Sequence, residues 1–356
     1  MDVAVVIPAR QAEATVAACL DSLLVQTSSK WEAIVVDDGS TDATASIASR
    51  YAAIDVRIRV VTQHRSGVSS ARNAGIAATS SEWLLFLDAD DWLLPPALER
   101  LSAAGTARSL DAVYGGWVRV TPRGEHVVER YTPDEEMIFT TLAGFCPFAI
   151  HACIVRRQAV EEVEGFDPSL RSCEDWDLWQ RVARTGARFA AITDVVACYR
   201  MRPHSASRNA LRLLDDGLRT IDIGHGPDPR VARPHPAYAA GVTQAGRAAG
   251  RLTFVCWIAG LLLGGGDDPL AALAPVRGDR APGLSPANVA QSLFTATLLP
   301  ACRAPAAWPT IWPRVELPLG RFLHALETQA GADGLATAAR RRLETLIGDY
   351  SSSNRH

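Results

Sequence analysis

Lysine is almost missing from this chain. Lys30 is the only one, and arginine holds every other basic position among 356 residues. Arginine suits phosphate recognition through its planar fork, but a chain-wide lack of lysine is better explained by a biased genome. A formal net charge of -3 leaves no polybasic footprint for nucleic acid or an anionic membrane. The seven cysteines, at 19, 146, 153, 173, 198, 256 and 302, include no C-x-x-C pair. That odd, dispersed set excludes a disulfide framework or a cysteine zinc site and fits reduced thiols, hence a cytoplasmic protein. The chain opens "MDVAVVIPAR", straight into a strand pattern, with no basic n-region or cleavage site of a secretory signal. Its most apolar stretch, "LTFVCWIAGLLLGGG" (252–266), falls short of the roughly 20 residues of a spanning helix. It is expected to be a core helix ending at glycines, with peripheral membrane contact as the alternative.

What is present is ordinary for a globular protein: 48% hydrophobic and 21% charged residues, with length for two domains. "VAVVIPA" (3–9) reads as a buried strand, followed by helical spacing over 12–26. "WEAIVVDDGSTD" (31–42) gives a second strand and an acidic loop, where Thr41 or Asp42 is expected to cap the next helix. A strand at 56–62, a helix at 69–79 and the strand "EWLLFLDAD" continue the alternation. Strand-loop-helix units at this spacing predict an α/β sheet with parallel strands and helices on both faces. Ligands then bind beyond the carboxyl ends of the strands. Farther on, a helix is expected at 173–186 and two strands at "FAAI" and "VVACYRM". Residues 209–236, rich in Pro and Gly, read as a linker; 237–350 as a helical domain; and 351–356 as a disordered tail.

Four acidic or loop motifs stand in order: "VVIPARQAE", "VVDDGSTDAT", "FLDADD" and "CEDWDLW", with "SSARNAG" between the second and third and "GFDPSL" before the fourth. Each alone reads most simply as a solvated turn. As a set they resemble the family 2 glycosyltransferases of the GT-A fold, over roughly the first 205 residues. The resemblance implies a Rossmann-like mixed sheet flanked by helices in residues 1–208 and an inverting transfer from a nucleotide-sugar donor.

The chemistry fits independently. A nucleoside-diphosphate leaving group gathers charge as its glycosidic bond breaks, and a divalent cation between carboxylates and phosphates neutralises it. Mn²⁺ or Mg²⁺ prefers such oxygen ligands. The resemblance assigns metal binding to Asp88-Ala89-Asp90, with Asp90 the direct ligand and Asp88 nearer the ribose. Asp91 is read as the cap of a helix starting at Pro95-Pro96, or as loop solvation. Pro8, Ala9, Arg10 and Glu13 would border base and ribose, and Asp38 would accept from a uracil-type N3–H, with Asp37 holding its loop. Arg72 is a candidate contact to base or phosphate, the alternative being a surface salt bridge. In the family an E-D pair supplies the general base, here Asp175 with Glu174 beside it; the alternative is a helix cap without chemistry. Arg200, Arg202 and His204 resemble a segment closing over donor phosphates or completing the metal site, and otherwise form an exposed basic loop. His151 lies where donor or acceptor contacts are expected, unless it is a satisfied buried histidine.

No Q-x-x-R-W motif accompanies these residues, against a processive polysaccharide synthase, and no G-x-G-T-R loop follows the first strand, against a sugar-nucleotidyl transferase. A non-catalytic nucleotide-sugar-binding protein is the remaining alternative. The acceptor stays open among glycan, peptide or protein, lipid carrier and small molecule, and self-association through the helical domain stays open as well.

Overall fold

Strand β1 (Val3–Ala9) is apolar at almost every position because both of its faces are covered. Parallel strands flank it: β2 (Trp31–Asp38) on one side and β4 (Trp83–Phe86) on the other, with β3 (Ile58–Gln63) beyond β2. The computed structural model describes residues 2–130, 135–202 and 210–353. Helices α1 (Val16–Leu24), α2 (Thr44–Ile54) and α3 (Val68–Ala77) make the crossovers between these strands.

Past β4 the sheet changes character. The short β5 (Trp92–Leu93), β6 (Ala112–Val120), β7 (His126–Glu129), β8 (Cys153–Arg156) and β9 (Phe189–Arg200) complete nine strands among the described residues, in the order β3-β2-β1-β4-β8-β6-β9-β5, with β7 hairpinned on β6. Strand β8 runs antiparallel to both β4 and β6, so the sheet is mixed. The two strands expected near 189–201 form one strand of 12 residues, whose register against β6 shifts between Ala191 and Val195, where Thr193 and Asp194 separate the apolar halves.

The two-residue period of the strands sorts side chains onto two faces. Val3, Val5 and Ile7 join Leu20, Leu23 and Trp83 on one face. Ala4 and Val6 join Phe86, Phe139 and Trp179 on the other. Helix α4 (Ala97–Ala107) covers the first face; α5 (Ile138–Leu142), α6 (Arg157–Glu162) and α7 (Glu174–Arg184) cover the second.

The remaining helices, α8 (Ala210–Gly224), α9 (Arg247–Gly265), α10 (Pro286–Leu298), α11 (Trp308–Ala330) and α12 (Leu335–Ser353), enclose a third core around Leu252, Val255, Ile258, Leu293, Trp308 and Phe322. With the turn before it, α9 is long and apolar enough to cross a membrane by length and composition alone, yet over half of that span is buried within the protein. It ends at Gly266 in the left-handed conformation, as a core helix closed by glycine does.

Two boundaries differ from the sequence reading. Much of the expected linker is the helix α8, whose apolar residues Leu214, Leu218 and Ile221 are buried. The loop after it is held fast, since Arg230 bonds Asp167, Asp177 and Asp228 at 3.0, 2.7 and 2.8 Å. Residues 351–353, expected to be tail, continue α12 as helix to Ser353; residues 354–356 lie outside the described residues.

Gly75 sets how closely α3 lies on the sheet: a Cβ there would stand 2.3 Å from Val6 Cγ1. Gly75→Ala is therefore expected to lower unfolding stability by about 1–3 kcal/mol through overpacking. Gly283→Ala, which meets open space, should leave it unchanged; equal denaturation midpoints for the two variants would refute this account.

Candidate active site

The carboxyl ends of β1, β2 and β4 bring Pro8 and Ala9, Asp37 and Asp38, and the Asp88–Asp91 turn to one edge of the sheet. Register pairs Pro8 with Val36 and Ala9 with Asp37. The Asp91 N–H closes its turn on the Asp88 carbonyl at 3.0 Å.

The first two loops are stitched to each other. Gln11, at φ 50°, accepts from the Thr41 N–H at 2.6 Å, while Ser40 Oγ accepts from the Gln11 N–H at 3.1 Å. Glu13 Oε2 accepts from the Ala43 N–H at 3.0 Å, so this side chain holds the neighbouring loop. Asp42 does not cap α2 at its N-cap position; its Oδ1 takes the Thr44 N–H and hydroxyl at 3.0 and 2.6 Å. Arg10 is exposed.

The two acids of the second loop divide their work differently from the expectation. Asp38 is buried and accepts from Gln63 Nε2, the Ser66 N–H and the Gly67 N–H at 2.8, 2.7 and 3.0 Å, which anchors the start of α3. Asp37 Oδ2 takes only a long 3.4 Å bond from the Ser40 N–H, and its buried Oδ1 has no partner.

Arg72 is neither a surface pair nor a free donor contact. It is 2% exposed, and its two terminal nitrogens bond Asp88 Oδ1 at 2.8 Å and Glu174 Oε1 at 2.7 Å. The guanidinium thereby ties the third acidic motif to the fourth, with the Phe166 ring 5.1 Å away.

Asp88, Asp90 and Asp91 each offer an oxygen within 4.8 Å of the others. An all-oxygen set of this kind suits Mg²⁺ or Mn²⁺. Burial and the charge of Asp88 raise the Asp90 carboxyl, and the Arg202 guanidinium on Asp90 Oδ2 opposes that rise. Part of the repulsion among these acids is thus answered by Arg202, and the cluster is compatible with a divalent ion.

Asp91 caps no helix. Trp92–Leu93 form β5, and α4 begins only at Ala97, behind Pro96. The Asp91 side chain turns inward, 1% exposed, where Oδ1 accepts from the Arg200 N–H at 2.7 Å and Oδ2 faces His151 Nδ1 at 3.2 Å. Burial, followed by Asp90 and Asp88, pushes Asp91 well above the usual carboxylate range. Burial holds His151 down to about 4, so its ring is neutral at neutral pH. Arg200 Nε also donates to the Asp90 carbonyl at 2.8 Å, and its guanidinium covers Trp92. His204 lies outside the described residues.

Asp175 is the second residue of α7, entered through Cys173 in the left-handed conformation. Burial and the adjacent Glu174 push its carboxyl up to about 6, against Arg72 and the Trp176 N–H, which pull it down. Its Oδ1 takes that N–H at 2.7 Å. The helix is held from behind: Trp176 Nε1 donates to the Leu142 carbonyl at 2.6 Å, and its ring meets Phe254 of α9 at 5.6 Å.

Two features escaped the sequence reading. Asp91, His151 and the Tyr199 ring, stacked on His151 at 6.1 Å, form a buried column joining β5, β8 and β9. No local pattern links residues so far apart, although Asp91 directly after D-x-D was a signal that more than turn solvation was at work. Cys146 lies close enough to Asp175 for that charge to raise its thiol after burial does, and nothing in its sequence context marks it.

Residues 4–164 match the family model "Glycosyl transferase family 2". The uncharacterized glycosyltransferase EpsJ of Bacillus subtilis is 31% identical over 214 residues, covering 57% of this chain and 62% of EpsJ. The putative teichuronic acid biosynthesis glycosyltransferase TuaG of the same organism is 27% identical over 58% of this chain and 82% of TuaG. The chain thus spans a little under two thirds of EpsJ. Among solved structures, S. aureus TarS 1–349 in complex with UDP aligns with TM-score 0.53 at 16% identity, covering 98% of this chain and 92% of that one. The mannosyltransferase PcManGT from Pyrobaculum calidifontis, in complex with GDP-Man and Mn²⁺, aligns at 0.52 and 17%, covering 99% and 88%. At such identities the likeness establishes the fold, the mixed sheet and helical C-terminal part of GT-A glycosyltransferases. Over residues 4–164, this chain is similar to glycosyl transferase family 2.

Proposed function

We propose that this chain is an inverting glycosyltransferase that moves a sugar from a UDP-linked donor to an acceptor nucleophile. The observation that carries this reading is the Arg72 junction. It sets a donor-side acid, Asp88, and a base-side acid, Glu174, on one guanidinium at 2.8 and 2.7 Å, with Asp175 next in sequence. The UDP complex of TarS and the GDP-Man and Mn²⁺ complex of PcManGT, on the same fold, support a nucleotide donor and a divalent ion.

Bound at Asp90 and Asp88, a divalent ion would neutralise the charge growing on the departing diphosphate. The chain's own residues do the rest. Pro8, Ala9 and Arg10 border the nucleoside, and Asp38, which accepts three bonds within its loop and has a further lone pair, accepts from the base. Arg200 and Arg202 stand beside the diphosphate. Asp175 takes the acceptor's proton on Oδ2 while Oδ1 stays on the Trp176 N–H, and the oxygen so activated displaces the diphosphate from the anomeric carbon in one step. A base near 6 is ionised at neutral pH and still has affinity for a proton.

A thermal-shift panel of nucleoside diphosphates with and without Mn²⁺ or Mg²⁺ tests the donor reading. Stabilisation that depends on the metal is expected, and Asp90→Asn should weaken it; no shift with any nucleotide would sink the proposal.

Turnover should fall as pH drops through about 6, where Asp175 takes a proton. Asp175→Asn should lose about 10²–10⁴-fold in kcat while keeping the nucleotide-induced shift. Its stability should move oppositely. A carboxyl raised above its unfolded value favours the folded state when protonated, an advantage complete below the unfolded value and lost as pH rises through about 6. Asp175→Asn should therefore exceed the parent in stability above that point, by about 1–3 kcal/mol, and converge with it in acid. Unchanged turnover would remove Asp175 from the mechanism.

Arg72→Met should be the more damaging change. It leaves the Asp88 and Glu174 carboxylates without their shared partner, costing about 3–5 kcal/mol and abolishing turnover. A variant as stable as the parent in urea would contradict the junction's role.

A further inference from the structure

A cavity of about 570 Å³ lies between the sheet and the C-terminal helices. Its sheet wall includes Trp117 and Arg119 of β6 and Tyr199 of β9; its helical wall includes Trp257 and Leu261 of α9 and Leu299 after α10. Two contacts tie this space to the chemistry. Arg202, on its lining, is paired with Asp90. Phe254, on the helix that carries the lining residue Trp257, meets Trp176, the residue after Asp175, at 5.6 Å. The cavity therefore adjoins the metal-site acid and lies beside the helix that carries the base, on the side from which the incoming nucleophile of a single displacement can approach.

The lining says what kind of molecule fits. It is mostly aromatic and aliphatic, and its polar groups are largely committed to one another. Gln291 Nε2 donates to Thr295 Oγ1 at 3.0 Å. Glu129 is taken by an Arg119 terminal nitrogen. What is left over is cationic: Glu129 shares the charge of Arg119, whose buried Nε–H has no acceptor among the described residues, and Arg130 adds a second, exposed guanidinium. The glycine at 116 makes room for that side chain, since a Cβ there would come within 2.7 Å of Arg130 Cγ. A neutral oligosaccharide would find few free acceptors here for its hydroxyl protons, whereas an accessible guanidinium on the lining favours an anion.

We propose that this cavity is the acceptor site and that the acceptor is an amphipathic anion. Its apolar body lies against Trp257, Leu261 and Leu299, its phosphate or carboxylate meets Arg119 and Arg130, and its accepting hydroxyl points past Cys146 toward Asp175. This deepens the transferase reading and rests on it. A volume of this size accommodates a drug-sized ligand or the head and first segment of a longer one.

The test is a tryptophan-fluorescence titration of the full chain with geranyl phosphate, phenyl phosphate, geraniol, inorganic phosphate and maltose. At least one amphipathic phosphate should bind about tenfold or more tighter than geraniol, inorganic phosphate and maltose. Preference for geranyl phosphate points to a lipid-linked source, and preference for phenyl phosphate to a soluble aromatic one. Arg130→Ala and Gln291→Trp alter exposed positions, one removing the cation and the other filling the space. Each should weaken that binding by about fivefold or more, with the nucleotide- and Mn²⁺-induced thermal shift retained. Maltose or geraniol binding as tightly, no probe binding while the nucleotide shift persists, or indifference to both substitutions would overturn the inference. Loss of the nucleotide shift in the parent chain would instead strike at the transferase reading itself.

Discussion

Arg72 carries a charge that it cannot lose, is almost fully enclosed, and holds one carboxylate on each terminal nitrogen. Enclosing a cation costs several kcal/mol unless its partners are rigidly placed, so everything around it must be fixed. Helix α3 is fixed against β1 by the bare backbone of Gly75. The next residue, Asn73, exchanges hydrogen bonds with the Phe166 backbone at 2.8 and 2.9 Å, holding the segment that leads to α7. Phe166 in turn meets Phe86, at the end of β4, edge to face at 4.8 Å. The approach to the Asp88 turn, the Arg72 helix and the Glu174 helix are therefore parts of one packed unit.

Electrostatics then separates groups of similar kind into different roles. Asp175 and Asp91 are both raised by burial, yet Asp175 stays near 6 because Arg72 and a backbone N–H still favour its charge. Asp91, crowded by Asp90 and Asp88 and closed in behind β5, is pushed well above the usual carboxylate range. Beside it His151 remains neutral, so its ring adds no positive charge under the acidic turn. The cluster's negative potential faces the open side, where Asp88 and Asp90 are partly exposed.

The half-sheet was legible because a strand buried on both faces leaves a continuous apolar run, and because each parallel strand must end in a loop. That is why the 3–9, 31–38 and 83–86 segments and the acids behind them could be read from the chain. The antiparallel half was harder: β8 is four residues long, and its pairing with β4 and β6 depends on contacts distant in sequence. Among site residues, Asp88, Asp90 and Asp175 carry their own local patterns. Arg72 was found, but its partners were not, since a guanidinium looks the same in sequence whether it meets a phosphate or two carboxylates. Glu13 and Asp38 were read only as nucleotide contacts, and their part in building the loops was missed for a related reason. An acid beside a nucleotide loop and an acid that builds the loop differ only in which N–H groups surround them.

The Arg230 clamp has a consequence for what counts as a unit of this protein. Composition suggests a seam after the last strand, yet Asp177 and Asp167 belong to the sheet-bearing half and find their counter-charge in the loop beyond that seam. Cutting the chain there would strand Asp177, 1% exposed, with only Arg181 of its own helix. The helix carrying Asp175 would lose its outer brace and its contact with Phe254 together. A C-terminal half taken from another protein could be grafted on only if it brought an equivalent arginine, so the two halves must be inherited as a pair.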